Sequence, residues 1–460
     1  MKTYQSPLTT RYGSQDMRAL FSDDHKFTTW RKVWLALAKA QQQLGLDISD
    51  QQIAQLEQYV NDLNMDVAKE YEEVLFHDVM AHLHAYGDQA IDAKKILHLG
   101  ATSAFVSDNA EILIQKEAMA YILKKLMYVC DALIARIKET AETTIVGFTH
   151  YQVAQPTTLG KRLAMYLQDF ASDLSQVDRW FNDVQLRGVK GTTGTAASFL
   201  KLFEYNENKV FELDHLFAQS LQFKETFPIT GQTYPRKFDS FTLFILSGIA
   251  SSAHKLAVDF RLMQHDLLIS EPFAKHQVGS SAMAYKRNPI LSEKITGLAR
   301  KVMVDALNGP LTASNQWLER SLDDSSNRRF VISESFLLVD EILNSLTKLI
   351  EGFVIDKQAI DQQLSQNMHL LISEPLLMAI TKKGLDRQVW HEYIRVAFLD
   401  SLSNKETTLL SSLMAIEDFP LNEDEINECI SIKSISGVAS LQAMRYVGVV
   451  EQSLKERQDD

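Results

Sequence analysis

The chain has 460 residues, 45% apolar and 23% charged, with a formal net charge of −12 at pH 7. That composition is globular rather than disordered and leaves length for two or three domains with sizeable cores. No run of five Lys or Arg occurs, so nucleic acid and anionic membrane are poor partners, and positive charge for an anionic ligand must come from a few placed side chains.

The first residues, MKTYQSPLTTRYGSQD, are polar and lack the apolar core of an export signal, and no window approaches 18 uninterrupted apolar residues. The expectation is a cytoplasmic protein without a membrane span. Helical periodicity begins with SDDHKFTTWRKVWLALAKAQQQLG, where Ser22 or Asp23 caps, Trp30, Val33, Trp34, Leu37 and Ala38 form one face, and Gly45 stops the run. Ser49 and Gln52 stand at capping-box spacing. A further helix is expected over about 66–86, and one from Ser107 to about Thr144, without Gly or Pro and about 57 Å long at 1.5 Å per residue. Cys130 and Cys429 fall far apart in helical segments, which supports neither a disulfide framework nor a thiolate zinc site. Similar runs cover about 157–187, 237–269 and 325–353, and the nine prolines fall between the helical runs. Strand signals are few.

Helices near 50 Å do not fit inside a sphere whose radius of gyration is about 23 Å for this length. The expected fold is therefore all-α: an elongated bundle of long helices whose apolar sides invite association with other copies. Breaks near 100–106 and 355 divide it into an N-terminal helical domain (1–106), a central long-helix bundle (107–355) and a C-terminal helical domain (356–460).

Polar chemistry concentrates at the helix boundaries: TTRYGS (9–14), FHDVMAH (76–82), LHLGATS (97–103), GFTHYQVAQPTTLGKR (147–162), ITGQTYPRK (229–237), GSSAMAYKRNP (279–289) and LERSLDDSSNRR (318–329). Seven such segments suggest a composite site for a multiply charged small molecule. Each has a blander reading. His77, His82 and His84 lack the i, i+4 spacing of a helical zinc pair, since Ala81 follows His77 by four. GVKGTTGT (188–195) lacks the Gly-Lys-Ser/Thr core of a phosphate loop and follows a helix, so it reads as a tight connection. His150 could be a structural loop histidine, Ser280 and Ser281 a turn or helix cap, and Arg320, Arg328 and Arg329 surface charges paired with Asp323 and Asp324.

GSSAMAYKRNP is similar to the signature loop of the fumarase/aspartase superfamily, whose usual form is GSSxMPxKxNP. Taken with it, GFTHYQVAQPTTLGKR, LHLGATS, ITGQTYPRK and LDDSSNRR resemble the adenylosuccinate lyase family, its eukaryotic-like branch in particular. The likeness runs from SPLTTRY to about residue 335 and is weaker beyond. It implies a three-domain all-α subunit and a homotetramer whose active sites each draw on loops of three chains, with no metal or cofactor. It also implies the reaction: non-hydrolytic C–N cleavage that releases fumarate from adenylosuccinate to leave AMP, and from SAICAR to leave AICAR, in purine biosynthesis.

By the same resemblance Ser280 is the general base, with Lys286 and Asn288 beside the developing anion, and His150 is the general acid, its imidazole held by Glu293. His77 is a second histidine of the site. Arg11, Tyr12, Asp78, Thr102, Ser103, Gln232, Lys294, Arg320, Ser325 and Arg329 are nominated to hold substrate. Three departures from the pattern, Ala284 for proline, Lys294 for arginine and Phe76 for arginine, lead to an expectation of weakened substrate binding with the chemistry retained. The rivals are another lyase of the superfamily, such as argininosuccinate lyase or fumarase, and a non-catalytic structural relative. The SSNRR and ITGQTYPRK segments argue against the first, and the joint presence of Ser280, His150, Lys286 and Glu293 against the second.

Overall fold

A computed structural model describes residues 3–403, 409–430 and 435–459. Among them the fold is all-α, with long helices at Asp23–Gln43, Ser103–Thr140, Leu159–Asp183, Lys237–His265 and Asp323–Gly352. The local signals act as physical chemistry requires. The Ser22 hydroxyl accepts from the His25 N–H at 3.2 Å, and both arms of the Ser49–Gln52 capping box are made. Trp30, Val33, Trp34, Leu37 and Ala38 are all buried.

Several boundaries differ from the expected ones. The 38-residue helix begins at Ser103 rather than Ser107, because the Phe105 N–H already closes a turn onto the Thr102 carbonyl at 2.8 Å. The single helix expected over 66–86 is two, Met65–Leu75 and Asp78–Gln89. Phe76 turns left-handed between them at φ 50°, and His77 caps the second by accepting from the Met80 N–H. Neither Gly nor Pro marks the break, so the amphipathic pattern hides it. Pro310 and Pro375 lie in the first turns of the short helices Asn308–Ser314 and Ser373–Lys382, where a missing N–H costs no intrahelical bond.

Residues 144–158, expected as a helix end and polar loop, form an antiparallel hairpin of strands Thr144–Thr149 and Gln152–Thr158. Its Thr, Ile and Val content favours a strand once a partner is available. A second, minimal ribbon pairs Ile269–Ser270 with Val354–Ile355.

By packing, the chain divides into two compact units. The first comprises Met1–Leu126, Ser172–His254 and Lys294–Ser345. Its core is built on Trp34, Tyr86, Phe105, Phe199, Phe217 and Phe336. The second comprises Met127–Ala171, Lys255–Glu293 and Leu346–Asp460, with Tyr166, Phe260 and Phe353 in its core and a further apolar cluster around Leu376, Ile380, Trp390 and Leu413.

One helix among the described residues, Lys237–His265, is long and apolar enough by length and composition to cross a membrane. Its uninterrupted stretch between Asp239 and His254 covers residues 240–253, about 21 Å at 1.5 Å per residue, short of the ~30 Å hydrocarbon core. Asp239 itself is buried and ion-paired to Arg328. The helix reads as a protein-core element.

Candidate active site

The first unit gathers four nominated residues at two helix N-termini. His77 precedes helix Asp78–Gln89, and its Nε2 lies 3.3 Å from the Ser103 hydroxyl at the start of helix Ser103–Thr140. Asp78 Oδ1 is 3.8 Å from His77 Nδ1, and Asp78 Oδ2 is 3.9 Å from Arg329 Nη2. The left-handed Phe76 that orients His77 costs about 1–2 kcal/mol, a strain of the kind found where function fixes a side chain. Two helix N-termini and an exposed guanidinium give this corner partial positive charge, which the Asp78 carboxylate offsets in part. Thr102 stands at the same helix start.

His98, quoted in LHLGATS but not nominated, belongs to the same corner. Its Nδ1 accepts from the Trp34 indole N–H at 2.9 Å, which fixes the proton of the neutral ring on Nε2. Burial, and secondarily the nearby His77, lower its pKa to about 4, so the ring is neutral at pH 7. The available signal was its presence in one motif with Thr102 and Ser103.

Gln232, Arg320, Ser325 and Arg329 are placed by a buried charge network that the sequence did not reveal. Arg236 donates from Nε to Asp324 at 2.7 Å and from Nη2 to Asp108 at 3.0 Å. Arg328, read as a surface charge paired with Asp323 or Asp324, is instead 7% exposed and binds Asp239 and Glu111, each at 2.7 Å. Tyr234 donates its hydroxyl to Asp239 at 2.6 Å. Burial alone would lower both arginines, but the surrounding carboxylates outweigh it and raise them; burial alone would raise Asp239, and Arg328 and Arg236 hold it low.

The site residues hang on this frame. Arg320 lies 3.3 Å from Asp324, Ser325 follows Asp324, and Arg329 follows Arg328. The Gln232 N–H donates to the Glu319 carbonyl at 2.9 Å, and its carbonyl accepts from Arg187 Nε at 2.9 Å. Arg187, fully buried, also binds the carbonyls of Gly188 and Gly191, so the 188–195 segment is a tight connection tied to the site. Arg11 and Tyr12 close the first short helix, Pro7–Thr10, and Lys294 donates to Glu341 at 2.7 Å.

In the second unit, His150 and Tyr151 are the two turn residues of the hairpin, at φ 52° and 57°. Such turns favour Asn-Gly because both residues must be left-handed, so His-Tyr here is strained by about 1–2 kcal/mol per residue. The turn leaves an exposed imidazole at its tip. Tyr151 lines an open cleft together with Arg261, Tyr285, Lys286 and Asn288.

The signature loop folds back on itself. Asn288 donates to the Gly279 carbonyl at 3.0 Å, and Gly279 lies so close to the Lys286 carbonyl that a Cβ would come within 2.0 Å of it. Ser280 Oγ accepts from the Ala282 and Met283 N–H groups at 3.3 and 3.1 Å. That is a turn, and it is also the environment a serine alkoxide needs, since both donors favour a negative oxygen. Glu271, a buried residue that sequence reasoning missed, receives the Leu291 and Ser292 N–H groups at 2.8 Å each and so anchors the end of the loop. Glu293 Oε1 lies 3.9 Å from Arg261 Nη2. Within the second unit these segments carry a serine oxygen facing main-chain donors and an exposed imidazole at a hairpin turn.

The architecture is that of solved fumarate lyase folds. A fumarate lyase from Mesorhizobium sp. BNC1 superposes with a TM-score of 0.84 at 22% identity, covering 97% of this chain and 99% of that one. The 3-carboxy-cis,cis-muconate lactonizing enzyme from Pseudomonas putida does so with a TM-score of 0.84 at 21% identity and the same coverage. Sequence narrows the class. A family model described as Lyase matches residues 19–304, and one described as Adenylosuccinate lyase C-terminus matches residues 369–446. The adenylosuccinate lyase of Saccharomyces cerevisiae is 40% identical over 452 residues, 96% of this chain and 94% of that protein. That of Schizosaccharomyces pombe is 45% identical over 397 residues, 86% and 82% of the respective chains. The chain belongs to the adenylosuccinate lyase family, and the likeness extends into the C-terminal region, beyond residue 335.

Proposed function

We propose that this enzyme eliminates fumarate from adenylosuccinate, leaving AMP, and from SAICAR, leaving AICAR, as a step of purine nucleotide biosynthesis. The observation that carries the reading is the family membership at 40% identity over nearly the whole chain. A site residue supports it: Ser280, whose oxygen receives two main-chain N–H groups.

The mechanism follows from the chemistry of the succinyl arm. Ser280, as alkoxide, takes a proton from the carbon beside a carboxylate. The pair of electrons left behind delocalises into that carboxylate as a doubly negative aci form, which fixed donors and Lys286 stabilise as it develops. The C–N bond then breaks, and His150 delivers a proton to the departing nitrogen. Glu293 holds His150 in the required tautomer, and His77 assists. Arg11, Tyr12, Thr102, Ser103, Gln232, Asn288, Arg320, Ser325 and Arg329 bind the phosphate and carboxylates, with Asp78 orienting His77 and Arg329. No step calls for a metal or cofactor.

Acid and base must approach opposite faces of the substrate in an anti elimination, so they come from distant segments, and the homotetramer that the family resemblance implies would bring the His150 and Ser280 segments together from different chains. Exposed apolar side chains on the helices of the first unit support such assembly. Phe241 and Phe244 on Lys237–His265 and Phe330 on Asp323–Gly352, the last 67% exposed, would otherwise face water. The cytoplasm, where nucleotides are made and both thiols stay reduced, is the proposed location.

The test is an ultraviolet absorbance assay of the purified protein with adenylosuccinate, argininosuccinate and malate separately. Absorbance changes with adenylosuccinate alone are expected. Turnover of argininosuccinate or malate in its place, or of none of the three, overturns the reading.

A further inference from the structure

We propose that Asp340 and Glu341 form a carboxylate clamp that positions the Arg11–Tyr12 turn for substrate, and that Lys294 acts through this clamp rather than by touching substrate. The inference rests on the proposed activity, in which Arg11 and Tyr12 hold an anionic part of the nucleotide.

The two acids are neighbours on helix Asp323–Gly352 and accept consecutive main-chain donors from the turn. Glu341 Oε2 takes the Gly13 N–H at 3.1 Å, and Asp340 Oδ2 takes the Ser14 N–H at 2.6 Å. Each carboxylate gives its other oxygen to a lysine: Asp340 to Lys125, and Glu341 to Lys294 at 2.7 Å. The side chains of Asp340 and Glu341 are 0% and 14% exposed, so the charges are neutralised locally and the bonds are shielded from competing water.

The turn has little freedom to sit elsewhere. Gly13 adopts φ +79°, and a Cβ there would lie 3.1 Å from Leu337 Cδ2, one turn along the same helix from Glu341. Ser14 at once continues as the cap of Gln15–Leu20, accepting from the Met17 N–H at 3.3 Å. Backbone bonds at two adjacent residues therefore fix where Arg11 and Tyr12 begin. No ion pair engages the exposed Arg11 guanidinium among the described residues, which leaves it for a ligand. The Lys294 ammonium, in contrast, already has its carboxylate. A lysine can serve there because one point contact to Glu341 suffices, whereas a bidentate substrate contact would favour arginine.

The clamp is a positioning device, so its signature is a KM effect that vanishes when Arg11 is absent. Steady-state kinetics on adenylosuccinate are compared for wild type, Glu341→Ala, Glu341→Gln, Arg11→Ala and the double variant Arg11→Ala/Glu341→Ala. Glu341→Ala is expected to raise KM about tenfold with kcat within about twofold. Glu341→Gln, which keeps an acceptor for the Gly13 N–H, is expected to recover part of that loss. In the double variant KM should match Arg11→Ala alone. Additive KM effects, or a wild-type KM in Glu341→Ala, overturn the clamp. Hydrogen exchange at the Gly13 amide gives a readout independent of turnover: faster exchange in Glu341→Ala than in wild type is expected, and equal exchange overturns the proposal. Inactive wild type with faster exchange in the variant would instead sink the functional reading and leave the clamp standing.

Discussion

Ser280→Ala is expected to lower kcat on adenylosuccinate by about a thousandfold or more while leaving the helices intact by circular dichroism. The hydroxyl oxygen is the sole heavy atom removed, and with it goes the group proposed to accept the carbon-bound proton. Because Oγ also receives the Ala282 and Met283 N–H groups, its loss loosens a turn, but that turn is exposed and contributes little to global stability. Substrate affinity should change far less than kcat, since the hydroxyl acts on charge that exists only as the proton leaves. Near-normal turnover by a folded Ser280→Ala protein removes Ser280 as the base.

The second large effect concerns stability. Arg236→Met is expected to destabilise the protein by about 3–5 kcal/mol, read as a lowered urea midpoint. Arg236 is almost fully buried and joins Asp108 to Asp324; the neutral side chain fills similar space, strips Asp108 of its cation and leaves Asp324 only the longer contact to Arg320. The cost is therefore the uncompensated charge rather than lost packing. Arg320, Ser325 and Arg329 stand beside Asp324 and Arg328, so activity should fall as well, through KM, at temperatures where the variant remains folded. An unchanged urea midpoint would show that this frame does not hold the first unit together.

Much of the fold was legible because long helices write their period and their ends into the chain. Ser22, Ser49 with Gln52, and the face from Trp30 to Ala38 identify their own positions, since caps and amphipathic stripes are local physics. The hairpin at 144–158 was not legible, because its turn residues are His150 and Tyr151 rather than Asn-Gly. The split at Phe76 was hidden for a related reason: a non-glycine residue takes a left-handed conformation that sequence pattern gives no sign of. Both misses fall at nominated histidines, where local rules yield to placement of an imidazole.

The site motifs were recognisable as polar segments and by resemblance, but not their supports. Arg236 and Arg328 look like surface charges in a chain rich in Asp and Glu; only the fold brings Asp108, Glu111, Asp239 and Asp324 around them. Glu271, Asp340 and Glu341 lie outside every motif and act on backbone N–H groups, a role with no sequence signature. Lys294 illustrates the point in reverse. It was nominated by resemblance, at a position where relatives carry arginine, and its ammonium rests on Glu341.

At the centre of this account is a reaction in which Ser280 of one chain and His150 of another work on the same substrate. The most direct measurement is subunit complementation. Ser280→Ala and His150→Gln proteins, each inactive alone, are dissociated, mixed and reassembled, and the mixed oligomers are verified by mass. Recovery of lyase activity in the mixture is the expected result, because some sites then receive an intact serine and an intact histidine from different chains. Mixed oligomers that form and stay inactive would contradict the account.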